Sequence, residues 1–495
     1  LKLKQSTKKI NPVPQIMSAC SEPTTFSKTK ETAKIVIIGA GASGVAAATK
    51  LLEQGFKNVL LFEAEDRIGG RINTILFANS LIDLGAQWCH GEEGNVVYEK
   101  VKDLDVLDRT GDYVVHFIRS NKEILTDVHN KALTELTNAF EVPGEHEGSV
   151  GDAFNAYWKE NIHQLVPNDK TIAKEAQDCL KKVICSMDAC DNLSELSYRN
   201  FRNFAIAGGD QNLSWRQKGY WKFLSVLLNS SDNQPGDQGI LKGHVHLNKR
   251  IAKINWEGDG ELTLRCWNGQ FVSADHVICT VSLGVLREKH HKLFVPALPA
   301  SKIRSIEGLK LGTVNKFYLE FEEQPVPENI REMAFLWLEE DLKELRSGKY
   351  FWLESVCYFH RVDCQPRLLQ GWIIGAHSRY VETISEEQVL EGIMWMFRKF
   401  LKFSVPYPKN FLRSQWQSNP NFRGSYSYYS TYADELRTGR TDLASPLVDV
   451  TGRPRIQFAG EASSRNHFST VHGAIESGWR EAERLNEFYE GRAAN

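Results

Sequence analysis

The feature that most restricts the fold of this chain is a glycine turn between an apolar strand and an alanine-rich helix. Residues 34–38 read Lys-Ile-Val-Ile-Ile, which predicts a short buried parallel strand. Gly39, Gly41 and Gly44 follow with the spacing G-x-G-x-x-G and open the predicted helix. A second apolar strand over 59–62 completes a βαβ unit.

The acid Glu63, 19 residues after the last glycine, extends this turn into a dinucleotide site. Gly39 permits the tight turn, Gly41 lets the backbone approach a pyrophosphate, and Gly44 allows close packing of the helix on the strand. The start of the helix offers free N–H groups to a phosphate. Since the Glu63 carboxylate accepts hydrogen bonds from a ribose diol and repels a 2′-phosphate, NADP is disfavoured.

A second glycine patch favours FAD over NAD. The stretch EAEDRIGGR places Gly69, Gly70 and Arg71 directly after the acid, where an extended flavin dinucleotide needs backbone room and a cation. Near the far end of the chain, the apolar strand IQFAGE ends at Glu461 and would close the same site.

Composition sets the broader limits. A chain of 495 residues with 42% apolar residues predicts a globular protein of about two domains. The net charge of −2 shows no basic excess, so nucleic acid is not expected as a partner. No apolar run is long enough to span a membrane. The nine cysteines are scattered without a C-x-x-C pair, which predicts neither a zinc site nor a disulfide framework and favours a reducing, cytoplasmic location.

The pattern along the chain alternates between strand-rich and helix-rich stretches. Residues 1–33 have no signal-peptide core, and we expect a flexible tail. Residues 101–230 have a mainly helical pattern, whereas 249–282 predict three strands joined by tight turns. Residues 312–323 predict a strand that contains Lys316. A helix is predicted over 385–402, and another closes the chain.

Seven stretches together resemble the flavin-containing amine oxidases, and most closely the polyamine oxidases that include spermine oxidase and N1-acetylpolyamine oxidase. The motifs occur in order over about residues 34–490, which is nearly the whole chain. They are GAGASG, EAEDRIGGR, LGAQWCHG, GTVNKFYLEF, NFRGSYSYY, FAGEASS and STVHGAIESGWREAERL.

The resemblance implies an α/β protein with a Rossmann-like FAD-binding domain and a discontinuous α+β substrate domain. The FAD-binding domain would comprise residues 34–100, 235–298 and 445–490, and the substrate domain 101–234 and 299–444. FAD would be held without a covalent bond, because the position of the flavin-linked cysteine of monoamine oxidases is occupied by Ser425.

The resemblance also implies a set of cofactor-binding residues. Ser43 and Arg71 would contact the diphosphate, Ile251 the adenine through its backbone, and Glu461 the ribityl chain. Trp416 would lie beside the flavin, with core packing as the alternative role. The full set is Gly39, Gly41, Ser43, Gly44, Glu63, Arg71, Gly85, Ala86, Gln87, Trp88, Ile251, Trp416, Glu461, Thr470 and Val471.

The activity implied is oxidation of spermine, spermidine or their N1-acetylated forms, with O2 as the final acceptor and hydrogen peroxide, an aldehyde and a shorter amine as products. Alternation alone would make Lys316 a solvated strand lysine, but the resemblance gives it a catalytic role beside the flavin. His90 would line the pocket and help to deprotonate the amine, with a polar loop histidine as the alternative.

Polyamines carry several ammonium groups, so we expect carboxylates and aromatic side chains along their channel. The resemblance assigns Glu195 and Ser197 to the far amine, and Thr470 lies where several relatives have an aromatic residue, which puts an aromatic cage in doubt. No metal is expected, because His244 and His246 have no third ligand in sight.

Two other functions stay open from the residues. A binding protein can retain FAD without turnover. An oxidase of another amine or of an amino acid would need a different substrate partner, and for an amino acid that partner would be a cation such as Arg202 or Arg216.

Overall fold

The structure is a computed structural model that describes residues 26–109, 115–140, 148–165, 170–230, 235–362 and 365–493. The strands are β1 (Lys34–Ile38), β2 (Asn58–Phe62), β3 (Thr74–Phe77), β4 (Ser80–Asp83), β5 (Leu107–Asp108), β6 (Val115–Arg119), β7 (Ser214–Trp215), β8 (Val245–His246), β9 (Ile251–Asn255), β10 (Leu262–Cys266), β11 (Phe271–Ala274), β12 (His276–Cys279), β13 (Phe294–Val295), β14 (Leu309–Leu311), β15 (Val314–Glu320), β16 (Glu332–Leu336), β17 (Val356–Val362), β18 (Gln365–Ile374), β19 (Asn410–Arg413), β20 (Ser427–Tyr429), β21 (Leu447–Val448) and β22 (Pro454–Phe458).

The helices lie between these strands and after the last of them. They are α1 (Ala42–Glu53), α2 (Val96–Val101), α3 (Asp127–Phe140), α4 (Val150–Leu165), α5 (Lys170–Asp188), α6 (Tyr198–Phe201), α7 (Trp221–Leu227), α8 (Leu283–Leu293), α9 (Ala300–Gly308), α10 (Glu339–Ser347), α11 (Gly375–Val381), α12 (Glu386–Phe400), α13 (Thr431–Glu435), α14 (Arg440–Ala444) and α15 (Val471–Ala493). No helix in these ranges is both long and apolar enough to cross a membrane.

The glycine turn belongs to a six-stranded sheet with the order β21-β22-β12-β1-β2-β8. Its neighbours are parallel except for β21 and β22. Along β1, Ile35 and Ile37 pack with the α1 side, whereas Val36 and Ile38 pack with the four-stranded sheet β11-β10-β9-β13. Both faces of β1 are therefore covered, which explains its continuous apolar run and confirms the α/β fold.

Helix α1 is rich in alanine because other elements press closely against it. Nine of its twelve residues are buried. A Cβ added to Gly478 of α15 would lie 2.2 Å from the carbonyl oxygen of Ser43, so the two helices approach to backbone contact. Helix α15, the last helix of the described chain, therefore packs against the start of α1, directly after the glycine turn.

The prediction of three strands over 249–282 was wrong at the third. The apolar run splits into β11, which pairs with β10, and β12, which pairs with β1 in the other sheet. Asp275 stands at the break, where its carboxylate accepts a hydrogen bond from the Lys34 amide at 2.8 Å and its own amide donates to the Lys34 carbonyl. These two bonds fix the point at which the chain leaves the four-stranded sheet after β11 and enters the six-stranded sheet at β12.

The second six-stranded sheet has the order β19-β15-β18-β17-β16-β6. All seven residues of β15 are buried, including Lys316. In the antiparallel register with β18, Lys316 lies opposite Trp372, and Tyr358 of β17 also pairs with Trp372. This sheet contributes residues 115–119 and strands between 314 and 413, whereas the first sheet draws on 34–62, 245–279 and 447–458. The assignment of domain boundaries stays a prediction.

The expectation of a flexible tail over 1–33 needs correction for residues 26–33. Phe26 packs against the rings of His276, Phe488 and Tyr489, with centroids 5.9 to 6.2 Å apart. Lys28 Nζ lies 3.6 Å from the Asp275 carboxylate. The segment is therefore docked on the C-terminal helix, and residues 1–25 lie outside the described residues.

Buried His276 makes the fold sensitive to acid. Its Nδ1 donates to the Pro454 carbonyl, and its Nε2 accepts from the Tyr489 hydroxyl at 2.7 Å. Burial lowers its pKa to about 4. Since the unfolded chain takes up this proton below about pH 6.5, stability is full above that pH and falls as the pH drops towards about 4, by up to about 1.4 kcal/mol per pH unit.

We expect His276→Gln to weaken this pH dependence, because the amide can satisfy both partners without titrating. The thermal unfolding midpoint, measured between about pH 7 and about pH 4.5, should fall less steeply in the variant than in the original protein. His291→Gln, at an exposed histidine, should keep the original slope. Equal slopes in both variants would contradict the assignment.

Candidate active site

A large internal cavity is lined by residues of both six-stranded sheets. It encloses about 1460 Å³, more than the roughly 300–1,000 Å³ of a pocket for one small ligand. Of the predicted site residues, Gly44, Glu195 and Ser197 do not line it. Those that do are Gly39, Gly41, Ser43, Glu63, Arg71, Gly85, Ala86, Gln87, Trp88, His90, Ile251, Lys316, Trp416, Glu461, Thr470 and Val471.

The glycine turn forms one end of the cavity. Gly39 has a φ of 101°, which favours glycine. A Cβ on Gly44 would lie 1.9 Å from the Gly39 carbonyl oxygen, so the turn closes only with glycine there. At Gly41 the nearest atom to an added Cβ is 3.8 Å away, and the backbone is open to the cavity. The free N–H groups at the start of α1 can therefore receive a phosphate.

Glu63 lies at the end of β2, beside this turn. It is buried, with Oε2 accepting from the Ala40 amide at 2.7 Å and Oε1 from the Glu65 amide at 2.8 Å. Burial raises its pKa, and the two amide bonds oppose that rise. Each oxygen keeps a lone pair for a ligand hydroxyl, so the carboxylate is oriented and still able to bind a diol.

Arg71 and Glu461 bring the two ends of the chain together at the cavity wall. Arg71 Nη1 donates to Glu461 Oε1 at 2.8 Å and to the Ser425 carbonyl at 2.7 Å. Glu461 also accepts from the Ser427 hydroxyl and the Ser469 amide. Burial alone would raise the Glu461 pKa, but the charges of Arg71 and Arg440 outweigh it and the pKa lies below its usual value.

Residues 85–88 run along the cavity between these groups and Lys316. A Cβ on Gly85 would lie 1.8 Å from the Arg71 carbonyl oxygen and 3.2 Å from the Trp416 ring. The backbone at Gly85 therefore passes close to the Arg71 backbone on one hand and to the Trp416 side chain on the other. Trp416 also packs edge-on against Phe422. Thr470 at the start of α15 accepts from the Gly473 amide, which orients the helix N-terminus at the cavity.

Lys316 is held in the cavity wall by three acceptors. Its Nζ donates to the carbonyls of Asp83 at 2.9 Å and Gly85 at 2.7 Å, and to Gln87 Oε1 at 2.7 Å. It also lies 4.8 Å from the centroid of the Trp372 ring. Burial lowers the pKa of Lys316 to about 7, while burial raises that of the neighbouring Asp83 carboxyl to about 6. A neutral amine is therefore accessible to Lys316 near neutral pH.

His90 follows the same segment. Its Nδ1 donates to the Gln211 carbonyl at 2.7 Å, which leaves Nε2 as the acceptor of the neutral ring. Burial lowers its pKa. The imidazole is thus a hydrogen-bond acceptor on the cavity wall at neutral pH.

Aromatic side chains were expected along the channel, but of those near Lys316 the sequence analysis named only Trp88. Trp372 stacks on Trp88 with centroids 5.6 Å apart and on Tyr358 at 5.8 Å, and His360 lies 6.1 Å from Trp88. Burial lowers the pKa of His360 to about 3. We call these four residues the aromatic wall. Their pairing with Lys316 depends on the order of strands in the sheet, which the local pattern does not reveal.

The predicted substrate residues Glu195 and Ser197 do not reach the cavity. Glu195 forms a salt bridge with Lys310 at 2.9 Å and accepts from the Tyr428 hydroxyl at 3.0 Å. Ser197 is fully buried and caps α6 through the Asn200 amide. Both side chains make contacts within the protein and neither lines the cavity, so their assignment to a far amine stays a prediction that these contacts do not support.

Asp188, at the end of α5, is a carboxylate on the cavity wall that the sequence reasoning missed. Burial raises its pKa to about 7, and the charge of Arg440 opposes that rise. Tyr426 and Phe468 line the cavity as well. The available sequence signal was an acidic residue at the end of an amphipathic helix, within an apolar stretch. An acidic residue at a solvent-exposed helix end gives the same pattern, so the signal does not identify a cavity residue.

The histidine pair considered for a metal has other contacts. His244 Nδ1 donates to the Val59 carbonyl at 2.9 Å, and His246 stacks on Phe62. Throughout the described ranges, no group of three or more His, Cys, Asp or Glu side chains is arranged to hold a metal ion.

Comparison with known proteins identifies the family of this chain. The family model for flavin containing amine oxidoreductases matches residues 42–486. The Homo sapiens "Peroxisomal N(1)-acetyl-spermine/spermidine oxidase" is 30% identical over 91% of this chain and 94% of its own length. The Drosophila lebanonensis "Protein anon-37Cs" is 28% identical over 93% and 89%. A solved putrescine oxidase double mutant with redesigned cofactor binding shares the fold, with a TM-score of 0.66, 17% identity and coverage of 92% and 98%.

Proposed function

The chain belongs to the flavin-containing amine oxidoreductases, and we propose that it is an FAD-dependent oxidase of polyamines. The observation that carries this proposal is one cavity that runs from the glycine turn and Glu63 to the buried Lys316 and the aromatic wall. Its volume suits a dinucleotide together with a substrate. The named relative that acts on N1-acetylated spermine and spermidine supports the substrate class.

The chain's own residues fit the cofactor. The glycine turn and Ser43 would receive the diphosphate, Glu63 the ribose diol and Ile251 the adenine. Arg71, Glu461, Thr470 and Val471, together with Gly85, Ala86, Gln87, Trp88 and Trp416, would enclose the flavin end. Bound FAD would supply the acceptor for a hydride equivalent from the carbon beside the substrate nitrogen, with O2 as the final acceptor.

Binding would be non-covalent. Ser425 occupies the position discussed above and its hydroxyl is bonded to the Val314 backbone at 2.8 and 2.9 Å. None of the seven described cysteines lines the cavity. No thiol among them is therefore available to the cofactor from the described wall.

Lys316 and His90 carry the proton chemistry in this proposal. Amine oxidation needs a neutral nitrogen at the reacting carbon, and the His90 ring is a neutral acceptor. Lys316, with a pKa lowered to about 7, holds and moves a proton at its Nζ. The aromatic wall excludes water and favours an alkylammonium chain through its ring faces.

The substrate's far ammonium would pair with Asp188. Of the two cations considered for an amino-acid oxidase, Arg216 is engaged by Asp105 and Asp108 in two salt bridges, whereas Arg202 lines the cavity, so that alternative rests on Arg202. A scaffold that binds FAD without turnover stays the second candidate.

A peroxide-coupled substrate panel tests the function. We expect hydrogen peroxide with spermine, spermidine or their N1-acetyl forms, and much less with a simple monoamine or an amino acid. Acid precipitation should release intact FAD into the supernatant. Bound flavin without peroxide from any amine would favour the scaffold, and a protein that takes up no FAD would overturn the proposal.

Replacing the buried lysine tests its role. We expect Lys316→Met to retain FAD and to slow anaerobic flavin reduction by a polyamine at least about tenfold, within the range of general acid–base effects. Rapid-mixing absorbance measurements follow this step. Lys253→Met, at an exposed lysine of β9, is the control, and an equal rate in the two variants would exclude Lys316 from catalysis.

Asp188→Asn should raise the apparent KM for spermine about fivefold above pH 7, from the loss of one partly exposed ion pair. The difference should grow as the pH rises through about 7, because the Asp188 pKa is raised to about 7 and more carboxylate is then present. Asp191→Asn is the matched control, since Asp191 pairs with Arg379 away from the cavity. An unchanged KM for spermine would remove Asp188 from the site.

A further inference from the structure

Trp267 is a large, solvent-exposed aromatic side chain at the edge of the cavity. It follows β10 at a tight turn and is 77% exposed. The turn is well defined, because the Trp267 amide donates to the Arg250 carbonyl at 2.8 Å and the Gly269 amide to the Cys266 carbonyl at 3.0 Å. The indole therefore has a fixed anchor, and the packing of the core does not explain it.

The position of Trp267 points to the adenosine end of the site. It lines the cavity together with Glu63, Ala64, Lys249 and Ile251. It also lines a neighbouring hollow of about 330 Å³, together with residues that include Asn248 and Asn268. The exposed ring therefore borders both the cavity and the smaller hollow.

The neighbouring cations are oriented by other groups. Lys249 Nζ donates to Gln270 Oε1 at 3.2 Å, and Arg250 Nη2 donates to Asn421 Oδ1 at 2.7 Å. Trp267 is thus the flat apolar surface beside Glu63 that a purine can cover. Aromatic rings and bases stack irrespective of the base, because each has a π-face.

We propose that Trp267 stacks on the adenine of the bound dinucleotide and covers it from solvent, so that it sets how tightly the adenosine half is held. This inference rests on the proposed FAD site. It assigns to the turn after β10 a binding role, and it distinguishes the adenosine half from the flavin half of the ligand.

Titration of apoprotein with FAD and with FMN, which lacks the adenosine half, tests the inference. We expect Trp267→Ala to raise the Kd for FAD about tenfold, within the range of base–aromatic stacking, and to leave the Kd for FMN unchanged. Trp267→Leu, which keeps bulk without a π-face, should show the same loss, and Trp267→Phe should largely restore binding. Phe271→Ala, at a 66% exposed aromatic residue outside the cavity, is the control.

The outcomes separate the two proposals. If the unaltered protein binds FAD and the Trp267 variants bind it equally well, the stacking role is overturned while the proposed function stands. A parallel loss of FMN binding would also overturn it, since the effect would then not be specific to adenine. If the unaltered protein binds no FAD, both proposals fail.

Discussion

The buried ammonium of Lys316 connects the second six-stranded sheet to the segment that follows the β3–β4 hairpin. A cation removed from water is costly unless its donors are satisfied, and here all three acceptors come from residues 83–87. That requirement holds the segment after β4 against β15 of the second six-stranded sheet. The same segment carries Gly85 past Trp416 and turns Trp88 and His90 towards the cavity. The position of the cavity wall therefore depends on how one lysine is accommodated.

A second charged group links parts of the chain that are far apart in sequence. Glu461 follows the last long strand, yet it bonds to Arg71 and lies in the field of Arg440. Arg440 is fully buried and contacts Ser427 and the rings of Tyr429 and Phe468. Replacement of Glu461 would remove the largest opposing charge near buried Arg440, so the network holds the far wall of the cavity in one arrangement.

The parts of this structure that could be predicted from the sequence are those that depend on the spacing of residues close together in the chain. The three glycines and Glu63 occupy neighbouring positions in one βαβ unit, so their juxtaposition follows from the chain order. The change of sheet at Asp275 could not be predicted, because the apolar run continues across this residue. Only the hydrogen bonds between Asp275 and Lys34 mark the boundary between the two sheets. The aromatic wall needs the register of Lys316 with Trp372 and then of Trp372 with Tyr358. Glu195 was misplaced because its charge is satisfied by Lys310, a residue 115 positions away.

The backbone contact between α1 and α15 has a consequence for biogenesis. The glycine turn is synthesised long before α15, the helix that packs against α1. Until α15 and β22 are synthesised, the face of α1 that packs on α15 and the edge of β12 that pairs with β22 stay uncovered. Contacts between residues so far apart in sequence form late, and intermediates with exposed apolar surface, which are prone to aggregate, are expected during translation. Cofactor loading at the glycine turn is therefore expected only after α15 has been synthesised and has packed on α1.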